Sequence, residues 1–248
     1  MAVVAAGPFV SVVRGDVALG ESWRTASRAS AGLAPDPAAA PEAIVHVYAA
    51  RAFGWRGALG VHSWIATKRA AAPAYTVYQV IGWRKFYGRP VLAVEADIPD
   101  RHWFGNRPEL LLELRGDGVE RVIDRIEEAV AAYPFADEYQ VWPGPNSNTF
   151  TAFVARRVPG LGLDLPPTAI GKDYLGPHSL FARAPSGTGY QVSVLGLAGV
   201  LLARREGLEV NLLGLTFGID PLGLALKLPG VGRIGVPNNQ ARAGGSAP

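Results

Sequence analysis

Ser147 lies where a nucleophilic side chain would be well supported. In the stretch QVWPGPNSNTFTAFVARRV, residues 140–158, a Pro- and Gly-rich turn precedes the pattern of an amphipathic helix, with Phe150, Phe153 and Val154 on one side. Backbone N–H groups in the first turn of a helix lack intrahelical partners and carry partial positive charge. They could hold a negatively charged oxygen beside the serine hydroxyl. The pattern therefore predicts acyl-transfer chemistry at Ser147.

A general base is available upstream, because GVHSWIATK places His62 on a predicted strand. Such a base works best when a third polar group orients its ring. Gln79 on the next predicted strand is the candidate for this role. Tyr78 is the alternative if the strand register differs by one residue. We expect Ser147, His62 and one of these two side chains to act together.

Polar and aromatic side chains near the predicted nucleophile could bind a substrate or stabilise an oxyanion. The residues expected to do so are Asn146, Asn148, Trp64, Tyr78 and Trp142. Together they predict a cleft that takes a peptide, acyl or glycan-type ligand.

The same residues also have structural explanations. Ser, Asn and Thr are common N-cap residues, so PNSNTF could begin a helix without any chemistry. His62 could be a hydrogen-bonded core histidine, Gln79 a solvent-facing strand residue, and the tryptophans could fill the core. Both interpretations remain open at the level of the sequence.

The composition excludes several kinds of site. Cysteine is absent, which excludes disulfides, thiolate nucleophiles and iron–sulfur clusters. The four histidines, His46, His62, His102 and His178, lack HExxH or HxH spacing, and we predict no metal and no cofactor. The net charge of +3 comes from scattered basic residues and not from a basic stripe with interleaved aromatics. We therefore predict no nucleic-acid partner.

Residues 1–42 are predicted to be a lead-in to the folded domain. Their apolar run AVVAAGPFVSVV has the length of an export-signal core, but no positive charges precede it and it is too short to span a membrane. This run offers a means of membrane association, and it leaves both a cytoplasmic and a cell-envelope location open. A Pro-rich linker follows it. We predict one domain over residues 43–236 and a flexible tail over residues 237–248.

Within that domain, alternating apolar patterns predict four strands that form an antiparallel meander. Their sequences are AIVHVYAARA, LGVHSWIATK, AYTVYQVIGW and PVLAVEADI. We predict helices at PELLLELRGD, at GVERVIDRIEEAVAAY and after Ser147, and two or three more strands after Gly189. With its length of 248 residues and hydrophobic content of 49%, the chain can bury a substantial core. The predicted fold class is α+β, with an antiparallel sheet packed against helices.

Several long phrases of the chain resemble an uncharacterised bacterial family, domain of unknown function 3750. These phrases are VYAARAFGWRGALGVHSWIA, YQVIGWR, RHWFGNRPELL, YPFADEYQVWPGPNSNTF and LPPTAIGKDYL. The resemblance extends from about Trp23 over nearly the whole chain. It implies a bacterial protein, often with an N-terminal hydrophobic segment, and it implies no known activity.

The order of the elements is also similar to that of the circularly permuted papain-like hydrolases, including NlpC/P60-like and PPPDE peptidases. In PPPDE peptidases a phrase of the form NCNTF carries the catalytic Cys. Here residues 146–150 read NSNTF, so Ser147 stands in place of the Cys and His62 in place of the His. The resemblance implies a serine-type amidase, peptidase or acyltransferase acting on an amide or ester. Because a hydroxyl ionises far less than a thiol, the alternative is a non-catalytic cell-envelope binding or scaffolding module on the same fold.

Overall fold

Two antiparallel β-sheets and two α-helices form the part of the chain that the computed structural model describes, residues 22–236. The first sheet has the strand order β4-β3-β2-β1-β5. Its strands are β1 (Ile44–Arg51), β2 (Val61–Lys68), β3 (Thr76–Val80), β4 (Leu92–Ala96) and β5 (Glu109–Arg115). Strands β1 to β4 form the predicted meander, because each pairs antiparallel with the next along the chain.

Strand β5 corrects one prediction, because PELLLELRGD was expected to be a helix. The segment pairs antiparallel with β1 instead, with Leu112 opposite Val47 and Leu114 opposite Val45. Leu112 is fully buried. Its alternating leucine and glutamate residues suit one face of a strand, and the pairing places β1 at the interior of the sheet.

The two helices are α1 (Val119–Ala131) and α2 (Ser147–Arg157). Helix α1 confirms the predicted helix after residue 117, and its apolar residues Val122, Ile126 and Val130 are buried as the pattern requires. Helix α2 begins at Ser147, as predicted. Short 3-10 helices cover Pro37–Ala39, Gly54–Ala58, Gly82–Tyr87 and Pro159–Leu161.

Both faces of the first sheet are covered. On one face, Val47 and Ile65 pack with Ile123 of α1 and Phe150 of α2. Each of these four side chains is fully buried, and burial of a side chain of this size contributes about 1.5–3 kcal/mol to stability. This helical face is the larger core of the protein.

The opposite face of the first sheet holds an aromatic core. Tyr48 and Trp64 stack with ring centroids 5.6 Å apart, and Trp103 packs against the same cluster. Residues of the Pro-rich lead-in complete the cover, since Ala26 and Ala40 are buried there. The lead-in is held by hydrogen bonds that the Asp100 carboxylate accepts from the Ser30 hydroxyl and the Leu33 backbone N–H.

The second sheet is a seven-stranded meander in sequence order. Its strands are β6 (Phe181–Arg183), β7 (Gly189–Val194), β8 (Ala198–Ala203), β9 (Gly207–Leu212), β10 (Leu215–Asp220), β11 (Ala225–Leu228) and β12 (Gly232–Gly235). The sequence analysis predicted two or three strands after Gly189, and this number of strands was too small. The strands are short because Leu-Gly pairs such as Leu195-Gly196 and Leu213-Gly214 reverse the chain, with positive φ angles at all four residues.

Polarity in the second sheet is reversed relative to the first. Its inward side chains include Gln191, Glu209 and Lys227, which are buried, whereas Val192 and Leu202 on the other face are exposed. The buried apolar cluster of this sheet consists of Ala184, Leu201 and Ala203. The second sheet is therefore held to the rest of the protein mainly through polar groups.

The α+β class, with antiparallel sheets against helices, is confirmed. Within residues 22–236, no helix is both long enough and apolar enough to cross a membrane. The predicted apolar run near the N-terminus and the predicted tail, residues 237–248, both lie outside the described residues.

Candidate functional site

The turn before α2 and the loop around residue 171 fix the first turn of the helix. Asn146 is the N-cap, and its side-chain oxygen accepts hydrogen bonds from the backbone N–H groups of Asn148 and Thr149. The Asn146 side-chain NH2 donates to the carbonyls of Val141 and Ile170, each at 3.1 Å. The Asn146 amide is thus engaged within the protein as a helix cap.

Gly171 permits this close packing. Its φ angle is +95°, and a Cβ atom at this position would lie 2.3 Å from the Asn146 side-chain nitrogen. Any larger residue there would push the loop away from the start of α2.

Asn148 joins the start of α2 to strand β2 at His62. Its side-chain NH2 donates to the Val61 carbonyl at 2.9 Å, and its side-chain oxygen accepts from the Ser63 hydroxyl at 2.8 Å. Val61 and Ser63 are the two neighbours of His62 along the strand. The helix turn that carries Ser147 is therefore bonded directly to the segment that carries His62.

His62 points toward the aromatic core, on the sheet face opposite to Ser63. Its ring stacks on Trp103 with centroids 3.6 Å apart and an interplanar angle of 7°. Its Nε2 lies 3.2 Å from the side-chain oxygen of Gln79. Because a carbonyl oxygen only accepts, Nε2 carries the proton and Nδ1 keeps its lone pair.

The His62 ring is neutral at physiological pH. Burial lowers its pKa from 6.5 to about 3, even though the hydrogen bond to Gln79 acts in the opposite direction. The side chain can accept a proton at Nδ1, but it does so weakly while it remains buried.

Ser147 is the first residue of α2 and is 5% exposed. Its backbone carbonyl accepts a hydrogen bond from the Thr151 hydroxyl at 3.1 Å. Among residues 22–236, no hydrogen bond joins the Ser147 hydroxyl to the His62 ring. Asn148 links the two backbone segments, but the His62 ring points to the sheet face opposite to α2, so the structure does not bring the two side chains together.

Of the two candidates for orienting His62, only Gln79 contacts its ring. Tyr78 lies on the helical face of the sheet, where its hydroxyl is 3.3 Å from the Thr67 hydroxyl and 3.4 Å from a Glu127 carboxylate oxygen. The strand register thus favours Gln79 for this role.

The two predicted tryptophans occupy different environments. Trp64 is buried beside His62, and its indole N–H donates to the Pro99 carbonyl at 2.7 Å. Trp142 is about half exposed, and its indole N–H donates to the Leu213 carbonyl of the second sheet. Trp142 therefore lies at the surface between α2 and the second sheet.

Sequence reasoning missed the position of Trp103 against His62 and the contact of Ser63 with α2. Trp103 in turn contacts Trp83, with centroids 5.5 Å apart, and Trp83 is 42% exposed. These rings form a continuous path from His62 to the surface. The signal for Ser63 was a small polar residue in an otherwise apolar strand, facing a predicted helix.

Lys172 and its neighbour Asp173 bond to different residues of the second sheet. The Lys172 ammonium group bonds to Glu209 at 2.5 Å, and Asp173 accepts hydrogen bonds from the side chains of Asn211 and Thr216. Both residues are therefore used to attach the second sheet.

The fold and site define an α+β protein with a serine at the start of a helix on one face of the first sheet and a buried, neutral histidine on the opposite face. Residues 42–174, more than half of the 248-residue chain, match the protein family described as Protein of unknown function (DUF3750). The chain belongs to this family, which confirms the resemblance found in its sequence. The match ends before β6, so the second sheet lies outside it.

Neither the curated proteins nor the solved structures contain a match to this chain.

Proposed function

We propose that this protein is a serine-type hydrolase or acyltransferase that acts on an amide or ester. The single observation that supports this most strongly is the hydrogen bond between His62 Nε2 and Gln79, which leaves Nδ1 with a lone pair. A ring held in this tautomer has the form that a general base needs. The order of a histidine strand, a glutamine strand and a nucleophile helix also supports a permuted papain-like arrangement.

In the proposed reaction, the Ser147 hydroxyl attacks the carbonyl carbon of the substrate while His62 Nδ1 accepts its proton. Gln79 keeps the ring in the required tautomer. The backbone N–H of Ser147, at the positive end of α2, would stabilise the oxyanion. The protonated ring then donates to the leaving group, and water or a second acceptor releases the acyl group.

The chemistry requires the site to open and rearrange, because Ser147 and His62 are both buried and their side chains lie on opposite faces of the first sheet. Trp103 and Trp83 extend from His62 to the surface, and a peptide, acyl or glycan-type ligand could pack along them. Opening would also return water and polar contacts to His62, raise its pKa and make it a stronger base.

The second candidate is a non-catalytic binding or scaffolding module of the cell envelope. The burial of both residues, their separation on opposite faces of the first sheet and the low pKa of His62 favour it, because a buried serine without a base in contact can be purely structural. On this alternative, Asn146 and Asn148 act only to fix the start of α2.

The absence of cysteine from the chain allows a sharp test. In the Ser147→Cys variant the new thiol is the sole thiol of the chain. The rate of its alkylation by iodoacetamide, measured over a range of pH values, therefore gives the pKa of that thiol. A catalytic environment should lower this pKa well below the ordinary value of about 8.5. Adding His62→Ala should return it to the ordinary range, and Ser179→Cys provides an accessible control thiol.

A fluorophosphonate probe applied to the wild type gives the complementary result. The proposal predicts labelling that is lost in Ser147→Ala and in His62→Ala and kept in Ser179→Ala. If the folded wild type is not labelled and the Ser147→Cys thiol has an ordinary or raised pKa, the non-catalytic module is the correct alternative.

A further inference from the structure

The outward face of the second sheet carries an apolar row that crosses all seven strands. The row starts at Arg183 on β6, and each residue in it lies directly opposite the next on the neighbouring strand. The apolar residues of the row are Tyr190, Leu202, Leu208, Ile219, Leu226 and Ile234. With strands about 4.8 Å apart, the row is about 29 Å wide.

These side chains are exposed, and parallel rows on the same face are apolar as well. Leu202, on the third of the seven strands, is 66% exposed. One flanking row pairs Phe181 with Val192 and Val192 with Val200. A continuous exposed apolar surface of this kind is unusual for a protein that is surrounded only by water, and such surfaces mark interaction sites.

One end of the face adds exposed leucines and arginines. The turn between β10 and β11 carries Leu222 and Leu224, each more than 70% exposed. The turn between β8 and β9 is at the same end of the meander and carries Arg204 and Arg205, both exposed. Arg183, opposite Tyr190, adds a third positive charge near this end.

The charge on this part of the chain has one sign. Within residues 175–236, all of which the structure describes, the exposed charged side chains are Arg183, Arg204 and Arg205. The acidic residues of the same segment, Glu206, Glu209 and Asp220, are buried. A partner of this face should therefore be apolar in its interior and negatively charged at its boundary.

We propose that this face docks on a membrane surface that contains anionic lipids. Aliphatic side chains would enter the boundary of the acyl chains, and Tyr190 and Phe181 would lie at headgroup depth. Arg183 and Arg204 would contact lipid phosphates, whereas the Arg205 guanidinium donates to the Gly162 carbonyl at 2.7 Å. A second copy of the chain fits less well, because two such faces would bring arginines together with no exposed acidic residue from either segment. The aliphatic face also lacks the hydrogen-bonding groups of a typical protein interface.

The test is flotation of the full chain with vesicles of phosphatidylcholine alone or with roughly one-third phosphatidylglycerol. The wild type should bind the anionic vesicles at least about tenfold more tightly than the neutral ones. Leu202→Glu should weaken binding by about ten- to a hundredfold, because it places a charge within the apolar row. Arg183→Ala with Arg204→Ala should weaken it by about fivefold for each arginine.

Val94→Glu is the matched control, because Val94 is an exposed aliphatic residue on β4 of the first sheet, and it should bind as the wild type does. All variants keep the N-terminal apolar run. If the Leu202→Glu variant still binds the vesicles, the binding is due to that run and the proposal is overturned. Absence of binding would also overturn it. So would a dimer in sedimentation analysis that Leu202→Glu dissociates, since a second copy would then cover the face.

Discussion

At the scale of single residues, the central feature is a histidine that the fold keeps neutral. His62 lies between Trp103 and Gln79, and burial lowers its pKa to about 3. In the unfolded chain the same ring has a pKa of about 6.5. The unfolded state therefore takes up a proton at pH values where the folded state does not.

This difference predicts a loss of stability in acid. The contribution of His62 is complete above pH 6.5 and is lost as the pH falls toward its folded pKa of about 3. Between about pH 7.5 and about pH 5, the wild type should lose about 2 kcal/mol more than His62→Gln. Urea unfolding at a series of pH values measures this difference.

His178→Gln is the control for that experiment, because His178 is exposed. It should follow the wild-type pH dependence. A His62→Gln variant with the same pH dependence as the wild type would mean that the buried ring takes up its proton without cost.

The sequence predicted the residue types of the candidate site better than their contacts. The cap at Asn146, the helix start at Ser147 and the neighbouring strand of Gln79 all followed from local pattern. The stacking of Trp103 on His62 did not, because the two residues are 41 positions apart and only tertiary packing brings them together.

At the scale of elements, Asn148 decides where α2 rests on the first sheet. Its side chain makes hydrogen bonds with the carbonyls of Val61 and Ile170 and with the Ser63 hydroxyl. All are in the buried contact between α2 and β2, so an unpaired group there costs free energy.

Replacing Asn148 with Ala should therefore lower the free energy of unfolding by about 2–4 kcal/mol. The urea midpoint, followed by circular dichroism, measures the loss. Asn148→Asp keeps the acceptor for Ser63 but loses the two donated bonds, and it should be destabilised as well. An Asn148→Ala variant as stable as the wild type would show that water replaces these bonds.

The prediction of a helix at PELLLELRGD failed because its leucines fit both periods. A run of three leucines between glutamates can form a stripe on a helix or alternate on a strand. The segment forms a strand because β1 offers an open edge, and β5 pairs with six residues of β1. This pairing joins residues at least 60 positions apart, so the local sequence pattern does not reveal it.

At the scale of the whole molecule, a buried network of four charges attaches the second sheet to the rest of the chain. Lys227 on β11 bonds to Asp164 at 2.8 Å and to Glu209 on β9 at 2.6 Å. Lys172 completes the network through Glu209, and all four side chains are at most 4% exposed. Burial alone would raise the pKa of Glu209, but Lys172 and Lys227 outweigh it and hold that pKa below its usual range.

Lys227→Met should destabilise the protein by about 3–5 kcal/mol, because it leaves Asp164 and Glu209 buried beside a single lysine. All six tryptophans precede residue 143, but Trp142 contacts Leu213 of the second sheet, so the reference protein and the variant both carry Trp142→Phe and the other five tryptophans report the first part of the chain. If the network couples the two parts, the urea midpoint by fluorescence should fall as well.

Arg69→Met is the comparison for Lys227→Met. Arg69 pairs with Glu120, Asp124 and Glu127 of α1 but is 41% exposed, so its removal should cost no more than about 1 kcal/mol. A fluorescence midpoint that stays unchanged in Lys227→Met, while circular dichroism reports a loss, would mean that the second sheet unfolds independently.

The reversed polarity of the second sheet also sets how its stability responds to temperature. Exposure of apolar surface raises the heat capacity on unfolding, whereas exposure of polar surface lowers it. When this sheet unfolds, it exposes Gln191, Glu209 and Lys227 and gains little new apolar surface, because its aliphatic face already meets the solvent. Its heat-capacity increment per residue should lie below the usual value of about 12–15 cal/mol/K, so its free energy of unfolding changes slowly between cold and warm conditions.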